Sequence, residues 1–125
     1  MIKKIILLFG FILLVSGCAG LADYDIDLPG NYSIVRTSGH EVSIAPKIGE
    51  GEWGANIVPA EVVEAGWNKK YIIAKQKNLD NKKMNYWIID VKTGKEEKFL
   101  NKSEFEHKLK KYNINAKMKE VDYLR

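Results

Sequence analysis

Asn85-Tyr86-Trp87-Ile88-Ile89-Asp90-Val91, then Lys92-Thr93-Gly94, then Lys95-Glu96-Glu97-Lys98-Phe99, is the stretch on which the fold turns. Residues 85–91 combine aromatic and β-branched side chains, which pack well on a pleated surface, and form the strongest strand in the chain. Residues 90–94 have the composition of a type I turn closed by a glycine in the left-handed region. Residues 95–99 are therefore expected to return as a partner strand. Directly downstream, Asn101 and Glu104 have the spacing of a capping box, and Leu100 and Phe105 stand where a hydrophobic staple needs them. Phe105, Leu109 and Tyr112 then fall at i, i+4 and i+7. This predicts a helix with one apolar stripe against a solvent face of Glu106, Lys108, Lys110 and Lys111, ended by Asn113.

Working back from this unit, residues 61–67 and 71–74 read as two strands about a turn at Asn68 and Lys69, followed by a polar loop over 77–83. Tyr32, Ile34 and Arg36 alternate with Ser33, Val35 and Thr37. Ser38 and Gly39 break the pattern before His40, Val42 and Ile44 resume it, as in a hairpin. Pro46 lacks the donor a ladder needs and is expected to stop the second strand. Residues 47–57, with Gly49, Gly51 and Gly54 around Trp53, read as a flexible loop carrying a large aromatic. Residues 118–123 add a last strand. Trp67, Trp87, Phe99 and Phe105 are expected in the core. The fold class is α+β: a small, mainly antiparallel sheet of about five to six strands with one C-terminal helix packed on it.

The N-terminus has a different character. Lys3 and Lys4 precede an unbroken apolar run over residues 5–15, which is the layout of an export signal. A helix over that run is about 16 Å long, against roughly 30 Å of hydrocarbon in a bilayer, so it is too short to span. Leu14, Val15, Ser16, Gly17 and Cys18 follow, with small residues placed before a cysteine. The pattern resembles the lipobox of bacterial lipoproteins. That resemblance implies cleavage between Gly17 and Cys18 and diacylglycerol on the Cys18 sulfur. Cys18 is the only cysteine, so no disulfide can form within the chain. Three regions follow: a signal helix at 1–17, a lipidated tether at 18–30 and a single α+β extracytoplasmic domain at 31–125. Within the tether, Asp23, Asp25 and Asp27 alternate like the start of a calcium loop. Leu28 and Ile34 stand where that loop needs glycine and glutamate, so no metal or cofactor is expected.

Charge divides the chain. Residues 18–65 hold two cations and eight acids, a net of −6, whereas residues 66–125 hold sixteen cations and eight acids, a net of +8. An exported protein seldom meets nucleic acid, so anionic lipid or cell-wall polymer is the partner a basic half would suit. The plainer reading of Lys69, Lys70, Lys75, Lys77, Lys82 and Lys83 is a solvated surface with blunted sheet edges.

The order of pieces, from the lipobox through Gly66, Trp67 and Asn68, the strands at 71–76 and 86–90, and the helix with Ser103, Glu104, Phe105 and Leu109, resembles a family of small uncharacterised lipoproteins of Gram-positive bacteria, a domain of unknown function. The resemblance implies an α+β fold and a membrane-anchored address, and brings no activity with it.

Residues that could carry chemistry are few. His40 follows a hairpin turn and His107 lies near the charged face of the helix, and both read as solvated. Glu50 with Glu52 and Glu61 with Glu64 are paired acids in polar stretches. The sequence has no His-x-x-x-His, no phosphate-cradling glycine loop and no Gly-x-Ser-x-Gly elbow. Trp53 reads equally as a binding-loop residue and as a lid folded on the sheet. The leading expectation is a non-catalytic binding or inhibitory module, lipid-anchored on the extracytoplasmic face of the cell membrane, with a protein or cell-wall polymer as partner. Its alternatives are a structural accessory gripping anionic lipid or wall polymer through the basic half, and a hydrolase of wall or peptide material.

Overall fold

A computed structural model describes residues 23–124; the expected signal segment, Gly17 and Cys18 lie outside the described residues. Strands β1 (Tyr24–Leu28), β2 (Tyr32–Arg36), β3 (Val42–Gly49) and β4 (Glu52–Trp53) form one antiparallel sheet in sequence order. Strands β5 (Val62–Trp67), β6 (Tyr71–Lys77), β7 (Met84–Asp90), β8 (Glu96–Leu100) and β9 (Lys119–Glu120) form a second, in the order β8-β7-β6-β5-β9. One helix, α1 (Lys102–Lys111), lies on the second sheet. The α+β class follows directly, with nine strands among the described residues where the sequence suggests fewer.

Register explains the layering. In the first sheet Ile26 faces Ile34, Ile34 faces Ile44, and Ile44 bridges to Val58, so one apolar row crosses the sheet. Facing it, Ala65, Ala74 and Trp87 align across β5, β6 and β7, as do Ile72 and Ile89. These residues form the larger core between the sheets. Residues of opposite parity, Ile73, Tyr86 and Ile88, join Leu100, Phe105 and Ile114 in a second core beneath α1. Each fully buried Ile contributes roughly 1.5–3 kcal/mol over its exposed state.

The unit that opens the sequence reading forms as expected. Asp90 Oδ1 accepts from Lys92 and Thr93 N–H at 3.0 and 3.1 Å, and Gly94 takes the left-handed conformation with φ +76°. Asn101 Oδ1 accepts from Glu104 N–H at 2.8 Å, while Glu104 Oε1 accepts from Asn101 N–H at 3.0 Å. At the other end Asn113 sits at φ +55°, its N–H donating to Lys110 O and that of Ile114 to Leu109 O. This is the double closure of a helix stopped by a left-handed residue.

Four expectations are corrected. Residues 24–28, assigned to the tether, form β1: Asp25 and Asp27 alternate because they are the more exposed parity of a strand whose Leu28 is buried. Pro46 does not stop β3, which runs on to Gly49. It faces Tyr32, the first residue of β2, so the ladder on that side ends at the residue without a donor. On the other side its carbonyl accepts from Gly54 N–H at 2.8 Å. Phe99 is not core; it is 58% exposed, its ring tilted by 59° against that of Trp87 at 4.8 Å between centroids. The last strand keeps only two residues before a 3-10 turn over Val121–Tyr123.

Gly66 has no room for a side chain. A Cβ there would stand 2.3 Å from the carbonyl oxygen of Lys117, because the segment after α1 crosses β5 at this point.

Candidate functional site

The sheets stay in contact where both present aliphatic side chains and part where the facing residues become charged. At that end Tyr24 and Arg36 of the first sheet stand over residues 61–64 at the start of β5, the ends of β6 and β7, and residues 120–122, enclosing a cleft of about 440 Å³. Closing it would bury Arg36, Lys77, Glu61, Glu64, Glu120 and Asp122, each at a desolvation cost no aliphatic contact offsets. The volume lies in the range of small-ligand and peptide pockets.

The electrostatics are uneven. Four carboxylates line the cleft against two cations. The guanidinium of Arg36 lies 5.5 Å from the centre of the Tyr24 ring. Glu64 is paired with Lys75 at 3.3 Å. Glu61 contacts the His40 imidazole at 3.4 Å, His40 itself being largely in water, and by register it stands directly across from Lys77. Val42, Val62, Val63 and Val121 supply apolar wall, and Met84, 39% exposed, stands among them.

Beside the cleft runs a buried polar cluster. Gln76 is 1% exposed on the inward parity of β6; its Nε2 donates to Ala60 O at 3.1 Å, and its Oε1 accepts from Asn85 Nδ2 and Trp87 Nε1, each at 3.3 Å. All its partners are protein groups, so it fixes the strand ends that form the cleft wall rather than presenting a hydrogen bond to a ligand.

On the helix side Glu97 accepts from Lys108 Nζ at 2.9 Å and Tyr112 Oη at 2.7 Å. The Lys108 hydrogen bond, then that of Tyr112, holds the Glu97 carboxyl below its ordinary range; the same contacts push Lys108 and Tyr112 up. This clip ties α1 to β8 beside a hollow of about 130 Å³ and is structural in character.

The residues singled out in the sequence are dispersed. His40, Glu61 and Glu64 meet at the cleft or its rim. His107 lies on α1, across the second sheet, and Glu50 and Glu52 lie at the β3–β4 turn. Trp53 is not on a glycine-rich loop: it belongs to β4, pairs with Lys47, and is half-buried with its Nε1 shielded from water. By register it shares the outer face of the first sheet with Ala45 and Ser33, as a lid does. Among the described residues, no group of three or more His, Cys, Asp or Glu is placed to hold a metal ion. Arg36, Lys77, Glu120 and Asp122 were not among the sequence candidates; they come from β2, β6, β9 and the last turn, and no local pattern joins them.

The model of a family described as a protein of unknown function, DUF3997, matches residues 29–122. This chain belongs to the DUF3997 family. No curated protein and no solved structure matches it. The DUF3997 match begins after β1 and takes in every residue lining the cleft except Tyr24. The DUF3997 unit therefore carries the cleft with it, while β1 adds an edge strand and one aromatic wall.

Proposed function

We propose that this DUF3997 protein is a non-catalytic binding module, held by lipid on Cys18 at the extracytoplasmic face of the cell membrane, and that the cleft between its sheets is the binding site. The observation that carries the reading is the cleft: a concave, partly apolar surface with an uneven set of charges, built by residues from both sheets. The anchor rests on the charge, length and small-residue pattern of residues 1–18. Trp53, by contrast, is half-buried against its own sheet and offers a partner little.

Two experiments test the two halves. Mass analysis of purified protein should give an N-terminal peptide beginning at a diacylated Cys18, and Cys18→Ala should release the protein from the membrane fraction. An intact Met1 with a free thiol overturns the anchor. A photoreactive side chain at Met84, inside the cleft, should crosslink a partner in intact cells, while one at Lys110 on α1 should not. Equal capture from both positions overturns the cleft as the site.

A hydrolase is the second reading, favoured by the contact of His40 Nδ1 with Glu61 Oε2 beside the cleft. In it, the carboxylate would orient the imidazole to take a proton from water. Among the described residues no serine, threonine or cysteine lines the cleft, so in this reading water is the nucleophile. A hydrolytic activity lost in His40→Ala would establish it.

A further inference from the structure

The loop between β6 and β7 projects past the last rung of their ladder, where Lys77 stands opposite Met84. Its backbone is closed on itself. Asn78 Oδ1 accepts from the N–H groups of Asp80 and Asn81 at 2.9 and 3.2 Å, and Asn81 Oδ1 from that of Lys83 at 2.9 Å. The N–H of Asn78 donates to Lys83 O at 2.8 Å. A loop satisfied from within can approach a surface poor in water without orphaning its N–H groups. Residues 79–84 are all exposed and set Leu79 and Met84 beside Lys82 and Lys83. Lys75 and Lys108, along the sheet, are each paired with a glutamate; Lys82 and Lys83 have no such partner among the described residues.

The same end of the molecule receives the chain from Cys18. Tyr24, six positions after that cysteine, lines one cleft with Lys77 and Met84. Tyr123, 77% exposed, follows directly on Asp122 of that cleft. Of five large hydrophobic side chains exposed among the described residues, Leu79, Met84 and Tyr123 thus gather here, whereas Ile48 lies at the far end of β3. The acids of the cleft are set back from the loop: Glu61 is level with Lys77, and Glu64 and Glu120 are level with Lys75.

We infer that this end is the face the protein sets against its own membrane, with Lys82 and Lys83 on anionic phospholipid and Leu79, Met84 and Tyr123 entering the interfacial layer. This orientation rests on the anchor at Cys18 and adds to it the surface that meets the bilayer. A lysine beside an anionic leaflet gains about fivefold in residence there. Lys77, Lys82 and Lys83, opposed by Asp80, therefore hold too weakly to retain the protein without its lipid, but strongly enough to orient it once tethered. Tyrosine suits the interfacial layer, having an apolar ring and a polar tip. A wall polymer would answer the charge alone and leave Leu79, Met84 and Tyr123 in water.

Lipid on the Cys18 sulfur makes an introduced cysteine the only free thiol, which allows a direct test. A fluorescent dye is attached to lipidated full-length protein at Asp80→Cys, on the loop, or at Lys92→Cys, in the β7–β8 turn at the opposite end of the sheet. Each is reconstituted into vesicles of phosphatidylglycerol and phosphatidylcholine with a quencher on the acyl chains. The Asp80→Cys label should be quenched at least about threefold more than the Lys92→Cys label, and less in phosphatidylcholine alone. Lys82→Glu with Lys83→Glu should bring the two labels level, whereas Lys69→Glu with Lys70→Glu, the same charge change at the β5–β6 turn, should alter nothing. Thermal melts establish that each variant is folded; Lys82→Gln with Lys83→Gln, expected to quench to an intermediate degree, serves if the reversal is not. Level labels, equal quenching with and without phosphatidylglycerol, or indifference to the Lys82 and Lys83 changes overturns the inference. Level labels with a rise in Asp80→Cys anisotropy on adding polyphosphate overturn it in favour of a soluble polyanion. Dye uptake by the wild type marks a free Cys18, in which case the anchor fails and the orientation with it; level labels on anchored protein remove the orientation alone.

Discussion

The five-stranded sheet is covered on both faces, and the two covers are held differently. On one face α1 is fixed by devices within a short span of chain: a reciprocal cap at Asn101, a left-handed stop at Asn113 and the Glu97 clip. On the other face the first sheet is fixed by an aliphatic row through Ile26, Ile34, Ile44 and Val58, with few polar links. The helix cover is therefore closed but for the small hollow beside the Glu97 clip, while the sheet cover is closed only as far as its aliphatic row extends. Where that row gives way to Arg36 and Tyr24, a cleft remains. The cleft is the place where packing of one layer on the other runs out.

The comparison can be broken by removing either cover. Phe105→Ala removes the ring stacked on Tyr86 at 4.7 Å and should cost about 3–5 kcal/mol in urea unfolding; Ile44→Ala, on the other face, should cost about 2–5 kcal/mol. A loss under about 1 kcal/mol from either would show that cover to be an appendage. Gly66→Ala comes next. It forces Cβ onto the Lys117 backbone and should cost about 1–3 kcal/mol, with the C-terminal segment displaced from β5 in hydrogen exchange.

Acid sharpens the contrast. The Glu97 carboxyl is held below its ordinary value of 4.5 in the folded protein, so its contribution is complete above that value and is lost as pH falls through the lowered one. Glu97→Gln should reduce stability at neutral pH and flatten its decline below about pH 4.5, measured as melting temperature against pH. The smallest effect belongs to the cleft: Met84→Lys should change stability by no more than about 0.5 kcal/mol, because the side chain leaves water only in part. A larger loss would mean that the cleft walls support the fold.

The legible parts of the chain were those whose hydrogen bonds close locally. The turn at Asp90, the cap at Asn101 and the stop at Asn113 each need residues within a few positions of one another, and all three form as the sequence suggests. β1 was misread because two aspartates outweighed the alternation of Tyr24, Ile26 and Leu28, although a strand in a small sheet needs only one apolar parity. Phe99 was misread because a β-bulge between Tyr86 and Ile88 shifts the register and leaves it at φ +56°, outside both cores. The cleft was illegible for a different reason: its charged residues come from separate elements and meet only through topology. Gln76 was within reach, since a glutamine on the parity of Ile72 and Ala74 must find partners if that face is buried.

The start of β1 has a consequence for geometry at a membrane. Tyr24 lies six positions after Cys18, and six residues span at most about 20 Å even when drawn out straight. A body of about 100 residues has a radius of gyration near 13 Å, so a lipid at Cys18 would moor it by a line shorter than its own width. Tyr24, a wall of the cleft, would be the landing point of that line. With lipid at Cys18, the opening would be kept close to the headgroups, and whatever enters it would arrive along the plane of the bilayer rather than from the open medium.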